Sequence, residues 1–365
     1  MFDAIVVGVR AAGAPLAMNL AREGYSVLGL DRDTLPGPPR PAQALTGHAV
    51  HRIQRWGLLE ALKATGTPPM WKLTMTAGEG LVELPFRDDV AAYCPRRDIL
   101  DRLLVDAARE DGVEVREGVS VTGVLRDDSG RVTGVEGVTS DGTPLREEAR
   151  IVIGADGRKS RIAEAVQART YNELPGRTCC FAGTWRNVAV EGIEAYFLSR
   201  RAIIVYPTND GITSVSVIFP NEEYERIKQD VDTEIERTLA GVPGLALRLR
   251  CGKHEGSWWG HRWPGAYYRD LHGPGWALAG DAGFLKDPIL GQGINDAFRD
   301  ADRIARAIHQ SFSGGEDLDG LLQSYQEHRD EVTRMIYQAS DEFAQLLVTP
   351  SMLTSIANYA DAMLA

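Results

Sequence analysis

Gly8 and Gly13 bracket a short run, Gly8-Val9-Arg10-Ala11-Ala12-Gly13, between a β-rich apolar segment and a helical one, and Asp31 ends the next β-rich segment. These residue types at this spacing suit a bound dinucleotide. The first glycine permits a tight turn, a small residue lets helix meet strand, and the helix N-terminus faces a pyrophosphate. A carboxylate ending the second strand accepts hydrogen bonds from a ribose. Arg10 stands where bare backbone usually lets phosphate come close. Its guanidinium either adds a charge-assisted phosphate contact or forces the pyrophosphate outward.

A second run joins Gly280-Asp281-Ala282-Gly283 to Asp287-Pro288 and Gly291-Gln292-Gly293-Ile294-Asn295. Asp281 follows a short buried strand and is placed to bind sugar hydroxyls. The glycine-rich turn opens a helix and offers free backbone N–H groups with the positive end of the helix dipole. That arrangement stabilises negative charge, such as develops near N1 and the C2 carbonyl of a reduced flavin.

Positioning these residues requires a strand over 3–8, a helix over 11–22 ended by Gly24, and a strand over 25–31, one βαβ unit. A Pro/Gly loop over 35–41 and a helix over about 47–62 follow. Short β-like runs over 73–93 precede a helix over 97–110, where Ile99, Leu100, Leu103 and Leu104 recur at helical spacing. Strands are expected near 113–115, 119–125, 132–138 and 151–153, and the stretch 179–219 is β-rich. A helix over 222–239 and a buried strand over 276–279 complete the pattern, with helices beyond and a loop at 313–320. Val332, Met335, Ile336, Ala339, Phe343 and Leu346 trace an apolar helical face, read as interdomain core.

The fold class is α/β: a Rossmann-type domain with an inserted β-sheet substrate domain and C-terminal helices. The expected division gives 1–70, 96–168 and 266–330 to the cofactor domain, 71–95 and 169–265 to the β-rich domain, and 331–365 to C-terminal helices.

Composition narrows the function. The 365 residues allow two substantial domains. A net charge of −11 without a Lys/Arg cluster argues against a nucleic-acid partner. No segment reaches the roughly 18 apolar residues of a membrane span, and the N-terminus shows no signal-peptide pattern. A cytoplasmic location is the expectation. Cys94, Cys179, Cys180 and Cys251 match neither a zinc nor a CxxC spacing. No third ligand joins His48 and His51 in a metal site, and these two are read as solvated or packed helix residues.

Taken together, GVRAAGAPLA at 8–17, LDRD at 30–33, YCPRRDILDRLL at 93–104, GADGRKSRIA at 154–163 and GDAGFLKDPILGQGINDAFRDADRIA at 280–305 resemble the FAD-dependent monooxygenases of the aromatic-hydroxylase fold. The resemblance covers nearly the whole chain. It implies that Gly8 and Gly13 face the FAD pyrophosphate and Asp31 the adenosine ribose, with Arg10, Ala12 and Arg32 as further cofactor-binding candidates. It implies that Arg97 contacts FAD and that Asp156 and Gly157 serve FAD and NAD(P)H. Asp281 would bind the ribityl side, and Pro288, Gly291, Gln292, Gly293, Ile294 and Asn295 would line the isoalloxazine. Arg40 is a further flavin-side candidate. Gly283-Phe284 departs from the Ala-His of many members, and no Trp-x-Trp-x-Ile-Pro run of a flavin-dependent halogenase is present.

The implied reaction is monooxygenation. NAD(P)H reduces FAD, O2 adds at flavin C4a, and the hydroperoxide gives one oxygen to a small organic substrate, aromatic or polycyclic. The alternative is an FAD-dependent reductase or dehydrogenase of the same fold, similar to prenyl reductases. A third reading is a non-catalytic flavin-binding or carrier protein. No residue is assigned as acid or base.

Overall fold

The computed structural model describes residues 1–35, 37, 42–86 and 90–356. Arg40 lies outside the described residues. The strand Phe2–Val7, helix Gly13–Arg22 and strand Val27–Leu30 form the expected βαβ unit, with the two strands parallel. Ala4, Ile5 and Val6 are fully buried because helices Gly13–Arg22 and Gly293–Gly314 cover one face of the parallel sheet, while strands Val119–Arg126 and Val132–Thr139 with the short helix Arg161–Ala165 cover the other. Strand Pro144–Gly154 pairs parallel on the other side of Phe2–Val7, and Trp276–Leu278 extends the sheet beyond it. The ends of Phe2–Val7, Val27–Leu30, Pro144–Gly154 and Trp276–Leu278 therefore come together, each leading into one of the chemical motifs.

Among the described residues there are two further sheets. A seven-stranded sheet runs in the order Lys253–Arg262, Thr178–Arg186, Ile212–Pro220, Arg201–Pro207, Ile193–Leu198, Lys72–Ala77, Gly80–Pro85. Its strands come from the two segments expected to be β-rich. A three-stranded sheet of Phe284–Leu285, Gly265–Arg269 and Thr170–Pro175 stands between the larger two in sequence.

Helix Gly293–Gly314 packs on helix Gly13–Arg22 through Phe298, Ala301, Ile304 and Ile308, all essentially solvent-free. Each large aliphatic or aromatic side chain buried this way contributes about 1.5–3 kcal/mol. Asp302 on its flank accepts hydrogen bonds from Arg52 Nε (3.1 Å), Trp56 Nε1 (2.9 Å) and Asn19 Nδ2 (3.3 Å). One carboxylate thereby fixes three elements around the glycine-rich turn.

Several expectations are corrected. The helix over 47–62 is two helices, Gly47–Arg55 and Leu59–Ala64, because Gly57 adopts φ +77° between them. The helix over 222–239 is broken likewise into Tyr224–Ile227 and Val231–Leu239, the second capped by Asp230 accepting from Thr233 N. Position 330 falls inside the helix Leu318–Ala344. Only the C-terminal end of the apolar stripe is core: Phe343 and Leu346 are buried, whereas Val332 and Met335 are about half exposed, at 48% and 50%. The buried side of the helix carries Tyr325, Arg329, Thr333, Tyr337, Ser340 and Phe343. Arg329 is buried because it is paired: its guanidinium donates to Asp330 Oδ1, Tyr171 Oη and the Arg269 carbonyl. Hydrophobic periodicity cannot register a face held by satisfied polar groups.

Candidate functional site

A cavity of about 980 Å³ lies where the strand ends meet the seven-stranded sheet. One end is polar and is lined by Gly8, Arg10, Ala12, Asp31, Arg32, Arg97, Asp156, Gly157 and Asp281. The other end is apolar, and Pro288, Gly291, Gln292, Gly293 and Ile294 stand on its wall. Fourteen of the seventeen sequence-predicted site residues line this cavity, Gly13 and Asn295 support its turns, and Arg40 lies outside the described residues.

Gly8 has φ +90°, and a Cβ there would lie 2.6 Å from the Ala155 carbonyl oxygen. A Cβ at Gly13 would lie 1.9 Å from the Gly8 carbonyl oxygen. The two glycines are therefore required by backbone crossing at the turn. The helix starting at Gly13 has no side-chain cap at Ala12; Ala14 N donates to the Arg10 carbonyl and Pro15 has no N–H, so the N–H groups of Ala12 and Gly13 are the ones left for an anion.

Asp31 is buried and holds the turn, accepting from Val9 N (3.2 Å) and Asp33 N (3.0 Å). Burial raises its pKa, against the opposing pull of these hydrogen bonds and of Arg10. Arg10 folds back on the same corner: its Nη2 donates to Asp33 Oδ2 at 2.5 Å, and its Nε is 3.6 Å from Asp31 Oδ2. The guanidinium is thus engaged by two carboxylates. Arg32 projects outward with 73% of its side chain exposed.

Asp156 also has a local task. Its carboxylate accepts from Ser160 Oγ (2.5 Å) and Arg161 N (2.6 Å), closing the turn into helix Arg161–Ala165. What the Asp-Gly pair offers the cavity is the shape of this turn. Arg97 reaches Asp101 (2.9 Å) and Gln43 (3.2 Å) and helps to stabilise the charged form of Asp281.

Asp281 accepts no hydrogen bond on its carboxylate among the described residues, although burial pushes its pKa up. Its turn is held from behind. Asp300 is fully buried and accepts from Gly280 N (2.9 Å) and from the Tyr325 hydroxyl. The half-buried Asp281 carboxylate, with unfilled acceptor sites at the polar end, suits a polyhydroxylated ligand.

Asn295 is not on the cavity wall. Its Nδ2 donates to Thr46 Oγ1 (3.0 Å) and Gln292 Oε1 (2.5 Å), so it braces the glycine-rich turn. Asp287 caps the turn at Pro288–Leu290, accepting from Ile289 N (3.1 Å) and Thr178 Oγ1 (2.8 Å). Burial raises its pKa to about 6.

The apolar end rests on the seven-stranded sheet. Its floor is Cys180 and Ala182, Ile204 and Tyr206, Ser216 and Ile218, with Ala195, Phe197 and Met75 beyond. Val205, Val215, Val217 and Phe219 point the other way, onto the helices between Tyr224 and Cys251. Both faces of this sheet are covered, so apolar residues fill both, and alternation alone does not say which face meets the cavity. Burial drives the Cys179 and Cys180 thiols up to about 12, leaving neither a thiolate nucleophile near neutral pH. His48 and His51 are exposed and off the cavity wall.

The sequence reading passed over Lys286. It lines the cavity between the two glycine-rich motifs and is only 6% exposed. The available signal was a lysine beside Asp287 within the otherwise apolar run Phe284-Leu285-Lys286-Asp287-Pro288-Ile289-Leu290.

A family model described as an FAD binding domain matches residues 1–340. Rifampicin monooxygenase of Streptomyces venezuelae is 26% identical over 362 residues, covering 96% of this chain and 72% of its own length. Digeranylgeranylglycerophospholipid reductase 1 of Methanopyrus kandleri is 26% identical over 371 residues, covering 95% of this chain and 90% of its own. Among solved structures, a triple mutant of the flavin-dependent brominase Bmp2 aligns with a TM-score of 0.87 at 20% identity, over 100% of this chain and 93% of that one; this is a likeness of fold. No described helix is long and apolar enough to cross a membrane. The chain belongs to the FAD binding domain family, as an FAD-dependent oxidoreductase with the fold of the class A flavin monooxygenases.

Proposed function

We propose that the protein transfers one oxygen atom from O2 to a small, largely apolar organic substrate, aromatic or polycyclic, with NAD(P)H as reductant. One observation carries this reading: the polar cleft and a walled apolar chamber form a single cavity. Bound FAD would supply two-electron redox chemistry and the activation of O2. The residues fit FAD. The uncapped start of helix Gly13–Arg22 suits the pyrophosphate, Asp31 the adenosine ribose, and the open carboxylate of Asp281 the ribityl hydroxyls. Helix Gly293–Gly314 starts without a side-chain cap at Gln292, and its positive end lies on the chamber wall.

The protein's part is orientation and exclusion of water. Ile204, Ile218, Ala195 and Phe197 give the floor no strong hydrogen-bonding group, while Tyr206 and Ser216 supply isolated polar contacts. Such a chamber orients a flat substrate and keeps water from a reactive oxygen donor. In this proposal the strands of 72–85 and 178–262 form the substrate half, and 1–70, 96–168 and 266–330 the cofactor half.

The reductase reading keeps support from the archaeal relative, which matches nearly as much of this chain as the monooxygenase does. Oxygen uptake separates the two. Addition of NAD(P)H and substrate is expected to consume O2, and faster than NAD(P)H alone; substrate conversion without O2 uptake would support the reductase.

Arg10 gives a narrower test. Its engagement with Asp31 and Asp33 leaves little of its charge for phosphate. Arg10→Gly is expected to leave the salt dependence of FAD binding unchanged. A flatter salt dependence in the variant would put the guanidinium on the pyrophosphate.

A further inference from the structure

Lys286 is the most deeply buried cation on the described cavity wall. Its side chain is 4% exposed, against 15% for Arg10 and Arg97 and 73% for Arg32. Its Nζ is ion-paired with Asp296 Oδ2, which takes one of the three ammonium protons, and no other acceptor meets it among the described residues. Asp296 is already engaged by Arg299 Nη1 at 2.8 Å. A buried ammonium left short of acceptors is costly. A ligand in the cavity is the remaining source of acceptors.

The position narrows the ligand. Lys286 lies between Asp281 on one side and Pro288 and the turn Gly291–Ile294 on the other. It follows the Phe284 ring, whose centroid is 4.7 Å from Nζ. We propose, on the FAD reading given above, that the Lys286 ammonium contacts the isoalloxazine and stabilises the negative charge that reduction leaves on it. Lys286 is then a catalytic residue, acting by charge, and supplements the helix N-terminus at Gly293.

The surroundings set the range over which this charge is available. Burial and Arg299 lower the Lys286 pKa to about 7, while Asp281 and Asp300 oppose the shift. Asp296 and Arg299 face it from helix Gly293–Gly314, Asp281 from its turn, and Asp287 adjoins it in sequence. The ammonium is therefore present below about pH 7 and lost above it, until negative charge on the cofactor draws the proton back.

Sulfite tests this without turnover, because it adds reversibly to oxidised flavin and leaves it negatively charged. With FAD saturating, Lys286→Met is expected to bind sulfite at least ten-fold more weakly at pH 6 and to shift the flavin midpoint potential downward. Lys286→Arg, which keeps its charge, is expected to match the wild type at pH 6. Above pH 7 it should bind sulfite more tightly than the wild type, a ratio in which the titration of sulfite itself cancels. A purely structural ion pair with Asp296 predicts no change in sulfite affinity or potential at full FAD occupancy, and that result overturns the proposal. Should Lys286→Met fail to hold flavin, Lys286→Gln at saturating FAD still decides: sulfite affinity and midpoint potential equal to those of the wild type contradict the proposal. Failure of the wild type to bind FAD would instead defeat the cofactor reading.

Discussion

Asp281→Ala is expected to weaken FAD binding by roughly ten- to a hundred-fold. The half-buried carboxylate faces the cavity with no protein hydrogen bond of its own among the described residues, so a ligand is its natural partner. A hydrogen bond to a charged group contributes about 1.5–3 kcal/mol, and each 1.4 kcal/mol is tenfold in affinity. The fold should survive the change, because the turn is held by Asp300 and Tyr325 through the Gly280 backbone and not by Asp281 itself. Fluorescence titration of the apoprotein with FAD measures the effect. Affinity equal to that of the wild type would mean the ribityl chain runs elsewhere.

A second large effect is expected at the other end of the cavity. Ala195 lies on the chamber floor, paired across its strand with Ile204 on one side and Met75 on the other. Ala195→Trp would place an indole in the space proposed for substrate. Overpacking of this kind costs about 1–3 kcal/mol of folding stability, and the indole at the same time takes the volume that the substrate would fill. FAD binding should hold, since the nucleotide contacts lie at the far end. The expected signature is uncoupling: NAD(P)H and O2 are still consumed, but peroxide replaces product. Unchanged product yield would show that the substrate does not enter this chamber.

The strongly local features were legible in the sequence. The βαβ unit was evident because Gly8 and Gly13 are demanded by backbone crossing and leave a fixed pattern. Helix Arg97–Glu110 was evident because one face is buried and the other is solvated. The less legible features depend on tertiary pairing. Asp156 carries the family motif, yet its oxygens serve its own turn, which no spacing reveals. Arg10 was left between two roles until Asp33 was seen to engage it. The buried face of helix Leu318–Ala344 is partly polar and satisfied, so the visible apolar stripe marked core only at its C-terminal end. Lys286 was missed because a lysine is ordinarily read as surface. Only the closure of the cavity around it gives it chemical meaning.

The central claim is that the chamber serves transfer of oxygen from O2 to an organic molecule. Turnover under 18O2 in ordinary water, followed by mass spectrometry of the product, tests it most directly. The account predicts one 18O atom in each product molecule, with one NAD(P)H consumed per product. Product that has gained or lost only hydrogen, or whose new oxygen comes from water, would contradict it.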